Sequence, residues 1–310
     1  MKNRITELLG TQYPLMLGPM RAITMGEMAA GVSNSGGFGQ IAASGASGEV
    51  LREEIRKTRS LTDKPFGLNI PIHRPNAIKA LEIAIEMGVQ TITTSGGNPA
   101  KVIDRIKKAG LKVLHKVSTV KMALKAQEAG VDGVIATGFE AGGHVGRQNI
   151  TTFCLVPQLA DVLEIPVVAA GGIGDGRGLL AAFALGAEGV EVGTRFLCTR
   201  ECSAPDWYKQ AILRSEDAST LVLGGDVMPI RVLKNKKALA AAHPEKAKED
   251  ERMRSGGEEA YVERDADEAI MPAGQVASLI KEITRIADVF PGMVDQTRAI
   301  ASELNLFLRE

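Results

Sequence analysis

The residues best suited to chemistry are one histidine in a run of glycines and two glycine turns. Gly142-Gly143-His144-Val145-Gly146-Arg147 sets an imidazole where side-chain bulk is missing. An imidazole there can take a proton from a carbon acid or return one to an enolate. A lone histidine is more often structural, but flanking glycines that let a ligand come close weigh against that reading. Ala170-Gly171-Gly172 and Gly193-Thr194 each end an apolar run. Backbone N–H groups bared by glycine can hold an anion, so the two turns predict a phosphorylated cofactor or substrate. Tight turns with no ligand are the plainer alternative. Cys198 and Cys202 flank Thr199-Arg200-Glu201 with no histidine near in sequence, which makes either a poor nucleophile. No HExxH or carboxylate–histidine spacing suggests a metal site. Of the other histidines, His73 reads as a residue of a pocket rim, His115 as a strand residue and His243 as surface.

These residues need a scaffold that brings them to one end. Short apolar runs recur at 13–17, 38–42, 66–70, 90–94, 112–116, 133–137, 166–170 and 189–193. Several are nearly continuous in Val, Ile, Leu and Ala, as when both faces of a parallel strand are buried. Segments of helical spacing lie between them, at 77–87, 99–109 and 120–129. Met87-Gly88, Ala109-Gly110, Ala129-Gly130 and Leu185-Gly186 place a glycine where each helix should stop. Eight strands alternating with helices predict a TIM (β/α)₈ barrel in the α/β class, with its site in the loops after the strands. An open doubly wound sheet is the alternative. Its GxGxxG is missing after the first run, where Leu17-Gly18-Pro19-Met20 stands instead.

The alternation breaks near residue 200. The expected organisation is a barrel from 1–203 and 271–310, interrupted at 204–270 by a mostly helical lid that contributes to the substrate pocket. The charge-dense stretch 234–267 reads as a solvated helix or lid edge. The chain rejoins the barrel at Met271-Pro272-Ala273-Gly274-Gln275, and two helices, 276–289 and 293–308, are expected to close it.

Composition excludes whole classes of partner. The 310 residues balance 37 basic against 37 acidic side chains, so nothing favours nucleic acid or an anionic membrane. No apolar run reaches the ~18 residues that span a bilayer. The start of the chain does not read as a signal peptide. Three cysteines, 154, 198 and 202, fit neither a disulfide framework nor zinc spacing. A cytoplasmic protein with reduced thiols is the expectation, acting on a small molecule.

Three segments carry a resemblance that covers nearly the whole chain: Gly138-Phe139-Glu140-Ala141-Gly142-Gly143-His144, Ala169 to Arg177, and Leu185 to Phe196. They resemble the nitronate monooxygenase (2-nitropropane dioxygenase-like) family, whose framework is shared by flavin-dependent enoyl-ACP reductases and NADH:quinone reductases. The resemblance implies FMN over the barrel mouth. Its phosphate would rest on Ala170, Gly171, Gly172, Gly193 and Thr194. Gly18, Pro19, Met20 and Asn69 would contact the flavin ring, with Lys116, Glu140, Gly142, Gly143 and Gln275 near it. His144 would be the active-site histidine, and the assembly a homodimer.

The same resemblance leaves the reaction open. Leu17-Gly18-Pro19-Met20 departs from the Gln-Gly-Gly-Met of many reductases and is closer to nitronate monooxygenases. The short connection between the third and fourth runs is closer to the reductases. One reading is oxidation of an alkyl nitronate with O₂ to a carbonyl compound and nitrite. Another is NADH- or NADPH-dependent reduction of an enoyl thioester or quinone. A third is a phosphate-binding barrel enzyme without redox chemistry, for which Lys116 is the one strand-end lysine.

Overall fold

The computed structural model describes residues 2–225, 227–242 and 265–307. Eight parallel strands form the barrel: β1 (Leu15–Leu17), β2 (Gly39–Ala42), β3 (Phe66–Pro71), β4 (Thr91–Ser95), β5 (Lys112–Val117), β6 (Gly133–Thr137), β8 (Val167–Ala170) and β9 (Gly189–Val192). Their order is β1-β9-β8-β6-β5-β4-β3-β2. A parallel bridge between Met16 and Phe38 joins the two end strands and closes the ring. All eight runs read from the sequence are strands. A ninth short strand, β7 (Gly143–His144), pairs with β11 (Ile230–Leu233), which pairs in turn with β10 (Thr220–Leu223) in a separate antiparallel sheet.

The barrel interior has two storeys, set by the two-residue period of strand side chains. The lower one is apolar: Met16, Phe38, Leu114, Ile135 and Val168 cluster with Ile5 and Leu9. Those last two come from the helix Arg4–Leu9, capped by Asn3 and ended by Gly10 in the left-handed region, which plugs the floor. The upper storey is polar. Asn69 donates to Thr93 Oγ1 (2.9 Å), Thr93 donates to Gln40 Oε1 (2.5 Å), and Gln40 donates to Glu191 Oε2 (3.2 Å) and the Leu17 carbonyl (2.5 Å). Lys116 completes the chain by an ion pair with the other oxygen of Glu191. A buried carboxylate is tolerated only with such partners. The outward strand faces pack against the surrounding helices in one large core.

The end of the chain departs from expectation. The helix expected over 276–289 is a short 3₁₀ turn, Gln275–Leu279, followed by extended chain. Thr284 is drawn into a parallel bridge with Thr199, donating to the Cys198 carbonyl (3.2 Å) and accepting from Arg200 N–H (2.9 Å). These tertiary bonds override helical propensity. One helix, Ile286–Phe307, then runs through Pro291, where a break was expected. Glu201 accepts from the Ile286 N–H at its start (2.9 Å), and Phe290 stacks edge-to-face on Phe196 at 5.1 Å.

The described part of the excursion holds the helices Asp206–Leu213 and Lys236–Ala241, and also the hairpin β10–β11, which the sequence reading did not foresee. Most of the charged stretch, His243 included, lies outside the described residues. No helix among the described residues is long and apolar enough to cross a membrane.

Candidate functional site

The loops that leave the C-terminal ends of the strands meet at one mouth, and each sequence-predicted site residue lies at this end. Gly18 follows β1 and is buried, with its N–H on the Val192 carbonyl at 2.7 Å. A side chain there would come within 3.0 Å of the Gly193 backbone. Pro19 and Met20 are half-buried beside it. Met20 N–H donates to Thr24 Oγ1 (2.9 Å), and Ala22 takes a positive φ of 59°, a strained conformation for a residue with a side chain. Asn69 and Lys116 are both engaged in the polar storey just below the mouth.

The two glycine turns suit an anion. Gly171 and Gly172 sit at φ of 94° and 74°, where glycine is at ease. A Cβ on Gly171 would meet Ala141 N at 2.9 Å, whereas one on Gly193 would meet nothing within 4 Å. Among the described residues neither Gly172 nor Gly193 gives its N–H to a backbone acceptor. Unclaimed donors beside open space, next to the start of the turn Thr194–Leu197, fit an oxyanion. Thr194 is buried and accepts from the Gly274 N–H (2.9 Å), which ties the returning chain to this turn. Ala170 ends β8 beside it.

His144 is exposed at the mouth, on β7. Its strand is held by the excursion: Ile230 pairs with His144, Arg231 with Gly143, and Val145 N–H donates to the Pro229 carbonyl (3.0 Å). Arg231 is buried. Its guanidinium donates twice to the Phe139 carbonyl and once to Thr220 Oγ1 (3.0 Å). The walls of the mouth desolvate the imidazole and hold its pKa below the usual value, and the nearby positive charge of Arg74 and then His73 acts in the same direction. Neutral imidazole is therefore its resting form near pH 7.

Two neighbours act by shape. Gly142 lies so close to the Ala273–Gly274 backbone that a Cβ would come within 2.5 Å of Gly274 N. Glu140 turns its carboxylate to Thr152, accepting from that N–H (2.8 Å) and hydroxyl (3.1 Å) at the start of the helix Thr152–Val162, while its carbonyl accepts from Gln275 N–H (3.0 Å). Its acid group thus positions loops. Gln275 is itself exposed at the start of the 3₁₀ turn.

Other candidates fall away from the chemistry. His115 faces outward, buried, against Thr94 Oγ1 (2.8 Å), and burial lowers its pKa to about 4. Burial pushes the Cys198 thiol up to about 11, which leaves it unionised. The sequence reading missed Gln40, Thr93, Glu191, Arg74 and Arg231. The signal for Gln40 and Glu191 was present: each is a polar residue at an inward position of an otherwise apolar strand.

A family model described as nitronate monooxygenase matches residues 2–295. A dehydrogenase from Rhodococcus jostii, named for a hydroxy-methyl-oxo-octahydroindene carboxyl-CoA, is 39% identical over 75% of this chain and 66% of its own length. A protein of Staphylococcus saprophyticus named as a probable nitronate monooxygenase is 36% identical over 72% of this chain and 75% of its own. The structure of FabK from Thermotoga maritima superposes with a TM-score of 0.92 at 35% identity, covering 99% of both chains. With the family model spanning the barrel, the mouth and the start of the last helix, the chain belongs to the nitronate monooxygenase family of flavin-dependent oxidoreductases.

Proposed function

We propose that the protein binds FMN at the barrel mouth and oxidises alkyl nitronates with O₂ to a carbonyl compound and nitrite. The observation that carries this reading is the meeting, at one barrel end, of unclaimed glycine N–H groups and an imidazole held neutral by its surroundings, in a chain of this family. Gly171, Gly172, Gly193 and Thr194 would hold the phosphate, and Gly18 to Met20 with Asn69 would lie along the ring. FMN, when bound, supplies the electron acceptor and the site of reoxidation by O₂. His144 in its neutral form takes or holds the substrate proton. The excursion acts as a lid that contributes to the pocket, since β11 fixes the strand that carries His144. A homodimer in the cytoplasm belongs to the same proposal.

A second reading is NADH- or NADPH-dependent redox chemistry on a thioester. The Rhodococcus relative, whose name specifies a CoA thioester, favours it. Anaerobic mixing of the flavin-loaded protein with each donor separates the two. Bleaching by propyl-2-nitronate and not by NADH or NADPH is expected. Bleaching by a nicotinamide alone overturns the first reading in favour of the second.

A further inference from the structure

Lys116 and Glu191 form an ion pair in the polar storey beneath the mouth, and the hydrogen bonds leading to it run in one direction. Glu191 is 5% exposed. One of its oxygens takes the Lys116 ammonium and the other accepts from Gln40 Nε2. Among the described residues Lys116 Nζ bonds to Glu191 alone. The direction is forced. Gln40 also meets the Leu17 carbonyl, and a carbonyl only accepts, so the meeting atom is Nε2 and Oε1 points the other way. Oε1 accepts from the Thr93 hydroxyl, whose single proton is thereby spent. Thr93 Oγ1 can then only accept from Asn69, which turns Nδ2 to it and to the Thr93 carbonyl (3.5 Å). Asn69 Oδ1 takes no hydrogen bond from a described residue and is the atom left for the mouth.

One carboxylate thus organises side chains from five strands, β2, β3, β4, β5 and β9. The two ends of the chain, Asn69 and Lys116, are residues of the proposed FMN site. In a site shielded from water a cation acts strongly on its neighbours. By itself, the Lys116 ammonium would favour a ring that gains negative charge on reduction. The adjacent carboxylate cancels most of that effect. We infer that Glu191 is a positioning residue that holds the reduction potential of the flavin down. It offsets the Lys116 charge and, through Gln40 and Thr93, fixes which end of the Asn69 amide faces the ring. A flavin held at low potential gives up its electrons more readily, to O₂ or to another acceptor. This role presupposes the proposed binding of FMN at the mouth, but not the choice between the two reactions.

The test is the midpoint potential of the FMN-loaded protein, read anaerobically by equilibration with a reference dye. Glu191→Gln keeps the size of the side chain and leaves Lys116 unopposed. Its potential should rise by about 30 mV, a tenfold change in the equilibrium constant of a two-electron couple. Lys116→Met should move the potential the other way, because Glu191 then stands alone. The double variant Lys116→Met/Glu191→Met removes both charges and should return close to the natural value. A buried ion pair exchanged for apolar residues of similar size is commonly tolerated. Glu191→Asp keeps the charge and should fall between the natural protein and Glu191→Gln. The flavin-to-protein ratio reports that each variant is loaded. An unchanged or lower potential in loaded Glu191→Gln overturns the inference, since a merely structural Glu191 would weaken FMN binding and leave the potential alone. If that variant does not load, the double variant decides against Lys116→Met: a higher potential in the double variant supports the role, and equal potentials overturn it. Failure here is distinct from failure of the proposed reaction. An unmoved potential in a protein bleached by a nitronate removes the role of Glu191 alone. A raised potential in a protein bleached by nicotinamide alone removes the nitronate reaction and keeps that role.

Discussion

Arg231 holds Phe139 in two ways at once: it donates to the Phe139 carbonyl at 3.0 and 2.9 Å, and its guanidinium carbon lies 4.8 Å from the centre of the same residue's ring. Phe139 opens the loop that ends at His144, so this contact sets where the imidazole can be. Arg231→Met leaves that carbonyl and Thr220 without their donor in a half-buried place. A loss of about 3 kcal/mol in unfolding free energy is expected, with kcat reduced more than KM is raised. Urea unfolding and steady-state kinetics measure both, and Arg231→Lys should fall between the two. A Met variant with normal kcat would separate the lid from the chemistry.

His144→Ala should keep its flavin and lose roughly 10²–10⁴-fold in turnover, the usual worth of one acid or base. The pH profile carries a sign. Desolvation, then Arg74 and His73, hold the imidazole below its ordinary 6.5. A base works when neutral, so kcat/KM should be level at neutral pH and fall as acid protonates the ring, with the limb below 6.5. An acid limb centred above 7 would show that another group titrates.

His115 makes a prediction for stability alone. Its pKa is about 4 in the folded chain and 6.5 in an exposed imidazole. The unfolded chain binds the extra proton between those values, so stability is full above about pH 6.5 and drains away down to pH 4. The loss is on the order of 3 kcal/mol. Urea midpoints across that range should slope for the natural protein and flatten in His115→Gln.

The glycine turns can be probed with one methyl group. A Cβ at Gly193 touches nothing within 4 Å, whereas at Gly142 it strikes backbone at 2.5 Å. Gly193→Ala should therefore leave the flavin-free protein as stable as before while weakening FMN binding about tenfold, or ~1.4 kcal/mol. Gly142→Ala should lower stability whether or not flavin is present. Thermal melts and flavin fluorescence titrations distinguish the two, and unchanged FMN affinity in Gly193→Ala would move the phosphate elsewhere.

The barrel was legible because buried parallel strands are apolar at nearly every position, a signal that survives without knowledge of neighbours. The ends of those strands then located the mouth and its glycines. The hairpin β10–β11 was hidden by the length of its strands, four residues each, although Gly224 and Gly225 between them, both at positive φ, mark a turn. Arg231 could not be read at all. Its partners, Phe139 and Thr220, lie 92 and 11 residues away, and nothing local distinguishes it from a surface arginine. The expected helix at 276–289 failed for the same reason: helical composition is local, while the Thr199–Thr284 bridge is made with a distant loop.

The pairing of β7 with β11 also orders events during synthesis. The last barrel strand ends at Val192, and Ile230 comes well after it. A ribosome will thus have released every barrel strand while the strand of His144 still lacks its partner. The nascent chain can close its ring early, yet its histidine acquires a fixed address only when the later hairpin emerges. Catalytic competence should lag behind folding of the barrel by the time taken to make that stretch.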